Sequence, residues 1–211
     1  MVQRRRDEQE VAISETPLGR MLASTARRPD PLEAFRIARR WFVEGRRIEM
    51  QELATELGVN RATLFRWVGS RDELIAEILW SLAEPTLKAS IDAAPGHGAE
   101  HIARAVGHYA TVIDESGFFQ AFLRREPERA LRILASRAGT VQSRLVAAIE
   151  ELLKAEIAAG QLDPPLPPRD LAFLVVRIVE SFLYADIITG EPLEVGKAEQ
   201  AIGALLGHRP R

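Results

Sequence analysis

Two guanidinium groups, a hydroxyl and an aromatic edge fall within the run Arg61, Ala62, Thr63, Leu64, Phe65, Arg66. A guanidinium fork can donate two parallel hydrogen bonds to O6 and N7 of guanine or to a phosphate, and both targets are open to Arg61 and Arg66. Ala62 and Thr63 are small enough to let a helix axis approach base edges. Phe65 can press on a sugar or a thymine methyl, although it donates no hydrogen bond. Asn60 suits the cap of such a helix, whose first amide groups favour a neighbouring phosphate.

These side chains act together only if a short helix carries them outward and a second helix braces it. Residues 48–74, IEMQELATELGVNRATLFRWVGSRDEL, have the required spacing. Ala54 is small where two backbones cross, Gly58 tolerates positive φ in the turn, and Leu53, Leu57, Val59, Leu64 and Trp67 fill the space beneath. Ser70 to Glu73 reads S-x-x-E, a capping box that starts the next helix at Arg71. The segment predicts a helix-turn-helix that reads double-stranded DNA. The competing reading is an ordinary helical hairpin, which requires Arg61, Thr63 and Arg66 to be walled in by their own chain.

The stretch GVNRATLFRWVGSRDEL resembles, without gaps, the signature of TetR-type bacterial repressors. It matches at Gly58, Val59, Thr63, Leu64, Ser70, Glu73 and Leu74, and conservatively at Asn60, Trp67, Arg71 and Asp72. Phe65 stands where the family usually has a phosphate-touching tyrosine, Ala62 replaces a common glycine, and Val68 replaces a phenylalanine. The resemblance implies a phosphate contact for Arg71, which replaces the usual lysine and can act bidentately. It also implies dimerisation through C-terminal helices, with two recognition helices meeting a palindrome at half-sites roughly 34–36 Å apart. The wider chain resembles TetR-type regulators of bacterial signal-lactone degradation, which makes an acyl lactone a candidate effector.

Composition narrows the class. The 211 residues carry a formal net charge of −2, yet residues 36–71 hold eight arginines against four glutamates. Arg46 belongs to this basic surplus and joins the expected DNA-facing set, while the acidic remainder downstream points to a different task. Zero cysteines exclude disulfides, thiol redox sensing and cysteine zinc sites. No run of about 18 apolar residues and no opening signal peptide is present, so a cytoplasmic protein without a membrane span is expected.

The expected fold is all α, in three parts: a basic N-terminal arm over 1–29, the DNA-binding domain over 30–75, and an effector-binding and dimerisation domain over 76–211. The arm either follows DNA or is a free tail. Asp30 and Pro31 open the first helix. Beyond Ser70, glycines and prolines divide the chain into five or six helices. Residues 169–189 are apolar nearly all round, and 194–207 are amphipathic, so pairing both with symmetry mates in a homodimer is the economical reading. The alternative is a monomer with this helix at its centre.

The helical domain can enclose a mostly apolar effector cavity. Candidate contacts are Trp80, Tyr109, Phe119, Phe122, Arg177, Glu180 and Tyr184, with Phe118, Phe173 and Phe182 as further aromatic walls. Glu180 either pairs with Arg177 at i, i+3 or faces the cavity, because an unpaired buried carboxylate is costly. Asp186 is a second polar interruption. Pro85, inside the helix linking reader to sensor, either bends that helix or ends it. The catalytic inventory is thin, with no nucleophile elbow and no phosphate-binding glycine loop. His97, Glu100, His101 and His108 read as capping and surface residues rather than metal ligands, so no cofactor is expected. The function read from the sequence is a ligand-responsive DNA-binding regulator, most economically a repressor. The alternatives are an effector-independent architectural DNA binder and a helical enzyme.

Overall fold

The computed structural model describes residues 29–135, 140–185 and 195–207. The expected N-terminal arm, Asp186 and the end of the apolar 169–189 segment lie outside those ranges. Every regular element among the described residues is an α-helix.

Helix α1 (Pro31–Val43) starts where Asp30 accepts a hydrogen bond from the Glu33 amide at 2.7 Å, with Pro31 in the first turn. It buries Ala34, Ala38, Trp41 and Phe42. Helices α2 (Met50–Glu56) and α3 (Arg61–Val68) follow. Gly58 lies between them at φ +64°, where an added Cβ would meet nothing within 4 Å, so backbone conformation rather than space selects glycine there. The Val59 amide bonds back to the Ala54 carbonyl at 3.0 Å. Ala54, Leu53 and Leu64 are almost wholly buried.

The long α4 (Arg71–Ala93) begins at the expected capping box: Ser70 Oγ accepts from the Glu73 amide, and Glu73 accepts from the Ser70 amide at 2.7 Å. It runs through Pro85 as one helix, so the boundary reading of that residue is corrected. Pro85 is exposed and lacks the amide that would bond the Ser81 carbonyl, four residues back. Six more helices follow: α5 (Gly98–Asp114), α6 (Gly117–Arg125), α7 (Pro127–Ala135), α8 (Thr140–Ala158), α9 (Pro168–Leu183) and α10 (Val195–Leu205). From Arg71 onward the described residues thus hold seven helices rather than five or six. Short α6 and α7 are separated only by Glu126 before Pro127, a break in which the proline starts a fresh helix.

Helices α4, α5, α8 and α9 pack side by side, and α10 lies along α5. At the start of α5, Gly98 has φ +60°, and a Cβ there would collide with the Gln161 carbonyl oxygen. Only hydrogen fits. The same corner is tied by His101, whose Nδ1 lies 2.6 Å from Glu156 and Nε2 3.1 Å from the Ile91 carbonyl. Burial lowers the His101 pKa, but the Glu156 bond, the Ile91 carbonyl and the Glu156 charge outweigh it and leave the pKa above the usual 6.5. A raised value means that protonated His101 stabilises the fold below pH 6.5, and that this contribution fades as pH rises through the folded-state value. The melting temperature is therefore expected to decline as pH rises from 6.5 through the raised folded-state value. A Glu156→Gln variant should lose that step, and an identical pH profile for the two proteins would refute the assignment.

Candidate DNA-reading face and effector cavity

Helix α3 presents one buried and one open side. Leu64 is completely buried, while Arg61, Ala62 and Arg66 are exposed and Thr63, Phe65 and Trp67 are half-buried. Asn60 caps the helix by accepting from the Thr63 amide at 2.7 Å. The Arg61 guanidinium rests over the Phe65 ring, 5.1 Å from its centre, an arrangement that holds the fork against an aromatic side chain. These residues are not walled in by their own chain, so the hairpin-in-a-core reading fails. Arg46, just before α2, places its guanidinium over the Trp41 ring, 3.8 Å from its centre, and donates to Glu52 at 2.8 Å.

Behind the reader, one guanidinium joins three segments. Arg71 Nε donates to the Ile48 carbonyl at 2.6 Å, and its two terminal nitrogens donate to both oxygens of Glu126 at 2.7 and 2.6 Å. Arg71 and Glu126 side chains are each 12% exposed. Arg129 adds a 3.0 Å contact to Glu126, and Arg129 and Arg132 both meet Asp72. The hydrogen bond from Arg71, despite burial and helped by the Arg71, Arg129 and Arg47 charges, holds the Glu126 carboxyl below its usual range. Beside this ionic junction, the Phe42 ring of α1 packs on Phe118 at 5.9 Å and Phe122 at 5.3 Å, both from α6.

Helix α6 also borders a cavity. Phe118 and Phe119 form one wall, Leu79 to Leu87 of α4 another, and the remainder comes from α5, α7, α8 and α9. The cavity volume is only about 50 Å³, so the space is slender. Its polar groups are Tyr109, Glu180 and Tyr184. Glu180 is 4% exposed and accepts from Gln142 Nε2 at 3.0 Å to both oxygens and from Arg177 at 2.7 Å. It both pairs with Arg177 and borders the cavity, so the two sequence readings hold together. Burial outweighs these partners and raises its pKa above the usual carboxylate value. Burial likewise raises both phenols, keeping them protonated.

The family described as "Tetracyclin repressor-like, C-terminal domain" matches residues 97–207 of this chain. A solved structure of the R. erythropolis transcriptional repressor QsdR, from the TetR family, is 33% identical and superposes with a TM-score of 0.80, covering 86% of this chain and 96% of that one. The chain belongs to the TetR family. Mycobacterium smegmatis AmtR is 17% identical with a TM-score of 0.45, over 88% of this chain and 90% of its own. PfmR from Thermus thermophilus, described as a TetR family transcriptional regulator, is 21% identical at 0.38, over 84% and 96%. Nothing matches among curated proteins.

Within this TetR-family regulator, several expected site residues are redirected. Arg71 is not an open phosphate ligand: all three of its nitrogens are engaged by Glu126 and Ile48, at the junction rather than on the reading face. Trp80 is not a cavity wall. The α4 side facing the cavity carries Leu79, Leu82, Ala83 and Leu87, which turns Trp80 under the Arg144 guanidinium, 5.7 Å away. Phe122 packs against Phe42 instead of the cavity, and Arg177, half exposed, supports Glu180 from outside the lining. Phe173 is 48% exposed on α9. Tyr109, Phe119, Glu180 and Tyr184 do line the cavity. Sequence reasoning missed Gln142, on an exposed-looking helix, and Glu126, at the break between α6 and α7, with no local pattern to mark either. No described helix is long and apolar enough to cross a membrane.

Proposed function

We propose that this protein is a cytoplasmic homodimeric repressor whose α3 helices grip a palindromic operator and whose cavity, when filled by a small molecule, releases it. The observation that carries the reading is the double role of α6: Phe118 is at once a wall of the cavity and a neighbour of Phe42 in the reading unit. A cavity this slender accepts a ligand only if its walls part. The displacement then reaches the reader through α6, both at Phe42 and at the Glu126–Arg71 bond. A coupling of about 1–3 kcal/mol would weaken DNA binding five- to 150-fold, and DNA would weaken ligand binding by the same factor.

In this reading residues 30–75 read DNA, with Asn60, Arg61, Ala62, Thr63, Phe65 and Arg66 at the duplex, and residues 76–211 bind effector and dimerise. Dimerisation is supported by the apolar stripe on α9, where Phe173 and Leu174 are 48% and 37% exposed beside half-buried Ile178 and Phe182. Repression rather than activation is supported by the QsdR relative, which is itself a transcriptional repressor. The effector is an apolar or amphipathic small molecule, for which the resemblance supplies acyl lactones as candidates.

Selection of binding sites from random DNA, repeated with candidate metabolites, tests this. A palindrome bound by dimers and released by one metabolite class is the expected result; no sequence preference, or binding as a monomer, overturns it. Pro85 is a bend in α4 through which the motion passes. Pro85→Ala is expected to blunt ligand-dependent release, and unchanged release defeats that role.

A further inference from the structure

Tyr109 and Tyr184 are each 6% exposed, and neither hydroxyl has a hydrogen-bond partner among the described residues. Among those residues, no fully enclosed side-chain polar atom is left unsatisfied. Both hydroxyls therefore open onto the cavity that these residues line. The two phenols come from different helices, α5 and the end of α9, and Tyr184 lies within electrostatic reach of both Tyr109 and Glu180. Each hydroxyl is thus a free donor facing the cavity, and a bound molecule that accepts from it gains a directed hydrogen bond there.

The neighbouring carboxylate is already provided for. Gln142 donates to both Glu180 oxygens and Arg177 supplies the opposite charge, so the Glu180–Arg177 pair is neutral as a unit. A cationic head would have to displace Arg177 to gain an ion pair. An anionic head beside the phenols would face Glu180 in a region of low dielectric constant, where like charges repel strongly. The rest of the lining is aliphatic and aromatic. Leu79 and Leu87 of α4 both border the cavity, which at the helical rise per residue makes it roughly 12 Å long.

Building on the effector reading above, we propose that the cavity takes a slender, uncharged amphiphile: an unbranched alkyl or acyl chain lies along α4, and a neutral oxygen acceptor of the carbonyl type sits between the Tyr109 and Tyr184 hydroxyls. Those two hydroxyls choose the head group, and Glu180 rejects carboxylates.

Three probes of equal chain length, used below their micelle concentrations, separate the possibilities: methyl decanoate, decanoate and decylammonium. Methyl decanoate is expected to raise the melting temperature of the full chain, and the two charged probes to do so at least tenfold less effectively by concentration. Tyr109→Phe and Tyr184→Phe should each weaken methyl decanoate binding about tenfold, which corresponds to about 1.4 kcal/mol. Because each removes a hydroxyl with no partner among the described residues, the melting temperature without ligand should stay level or rise, which distinguishes a lost ligand contact from a damaged fold. Glu180→Gln should admit decanoate. Equal or tighter binding of either charged probe overturns the proposal, as does undiminished methyl decanoate binding by both phenylalanine variants or binding of none of the three. The regulatory reading fails separately: methyl decanoate binding with the expected variant pattern, but without release of a selected operator, upholds the ligand class and defeats the repressor mechanism.

Discussion

Glu126→Ala is expected to destabilise the protein by about 3 kcal/mol, the low end of the range for removing one partner of a buried ion pair, because both side chains keep 12% of their exposure. The loss comes less from the missing attraction than from what stays behind. Arg71 would retain its charge and its bond to Ile48 but lose the acceptor of its two terminal nitrogens. Arg71→Met with Glu126→Ala should therefore cost clearly less than the two single changes added together, since neither charge is then stranded. The pH dependence has a definite sign. The Glu126 carboxyl sits below the usual 4.5, so its contribution is fully present above that value and is lost as pH falls through the lowered one. Wild type should lose stability in that acid range by a step that Glu126→Ala lacks. Denaturant unfolding of the four proteins at neutral pH, repeated in acid, reads both effects. A Glu126→Ala change within about 0.5 kcal/mol of wild type would mean that the junction is an ordinary surface pair.

The same junction shows where sequence reading stops. Asp30, Asn60 and the Ser70–Glu73 box were legible because each cap is satisfied within three residues, and Gly58 because a tight turn demands its φ. The reading face followed from these, since the caps fix where α3 begins and its period fixes which side Leu64 occupies. Arg71 was misread because its partner stands 55 residues downstream, in a corner whose position depends on how α6 packs on α1. A resemblance that carries a residue's role by position cannot register a carboxylate arriving from elsewhere in the chain. Gln142 illustrates the same separation: it meets Glu180 across 38 residues, and nothing local distinguishes it from a solvated glutamine on an amphipathic helix. Trp80 failed for a different reason. Aromatic type does not override helical phase, and one position along α4 turns a side chain about 100° from the lined face. Glu180, expected as a polar interruption of α9, and Tyr184, expected as an aromatic one turn later just past its end, both line the cavity.

Arg61→Ala with Arg66→Ala is expected to weaken binding to a selected operator by about 2–6 kcal/mol, roughly thirtyfold or more, because each guanidinium can supply about 1–3 kcal/mol at a base edge. The two side chains start from different states. Arg61 leans on the Phe65 ring and would meet a duplex with part of its freedom already removed, whereas Arg66 stands exposed near the helix end. Salt separates their targets. A residue on guanine relaxes the sequence preference at one position and leaves the slope of log affinity against log salt nearly unchanged; a residue on phosphate weakens operator and random DNA alike and lowers the slope by about one. Titrating each single variant against operator and random DNA over a range of salt assigns each arginine to one target. Arg71 provides the internal contrast. With its guanidinium turned toward Glu126, a folded Arg71→Ala protein should keep the wild-type slope, whereas resemblance to the family signature demands that it fall. Wild-type affinity and slope in the Arg61 and Arg66 variants, with the fall appearing only at Arg71, would move the DNA contact off α3 and onto the junction.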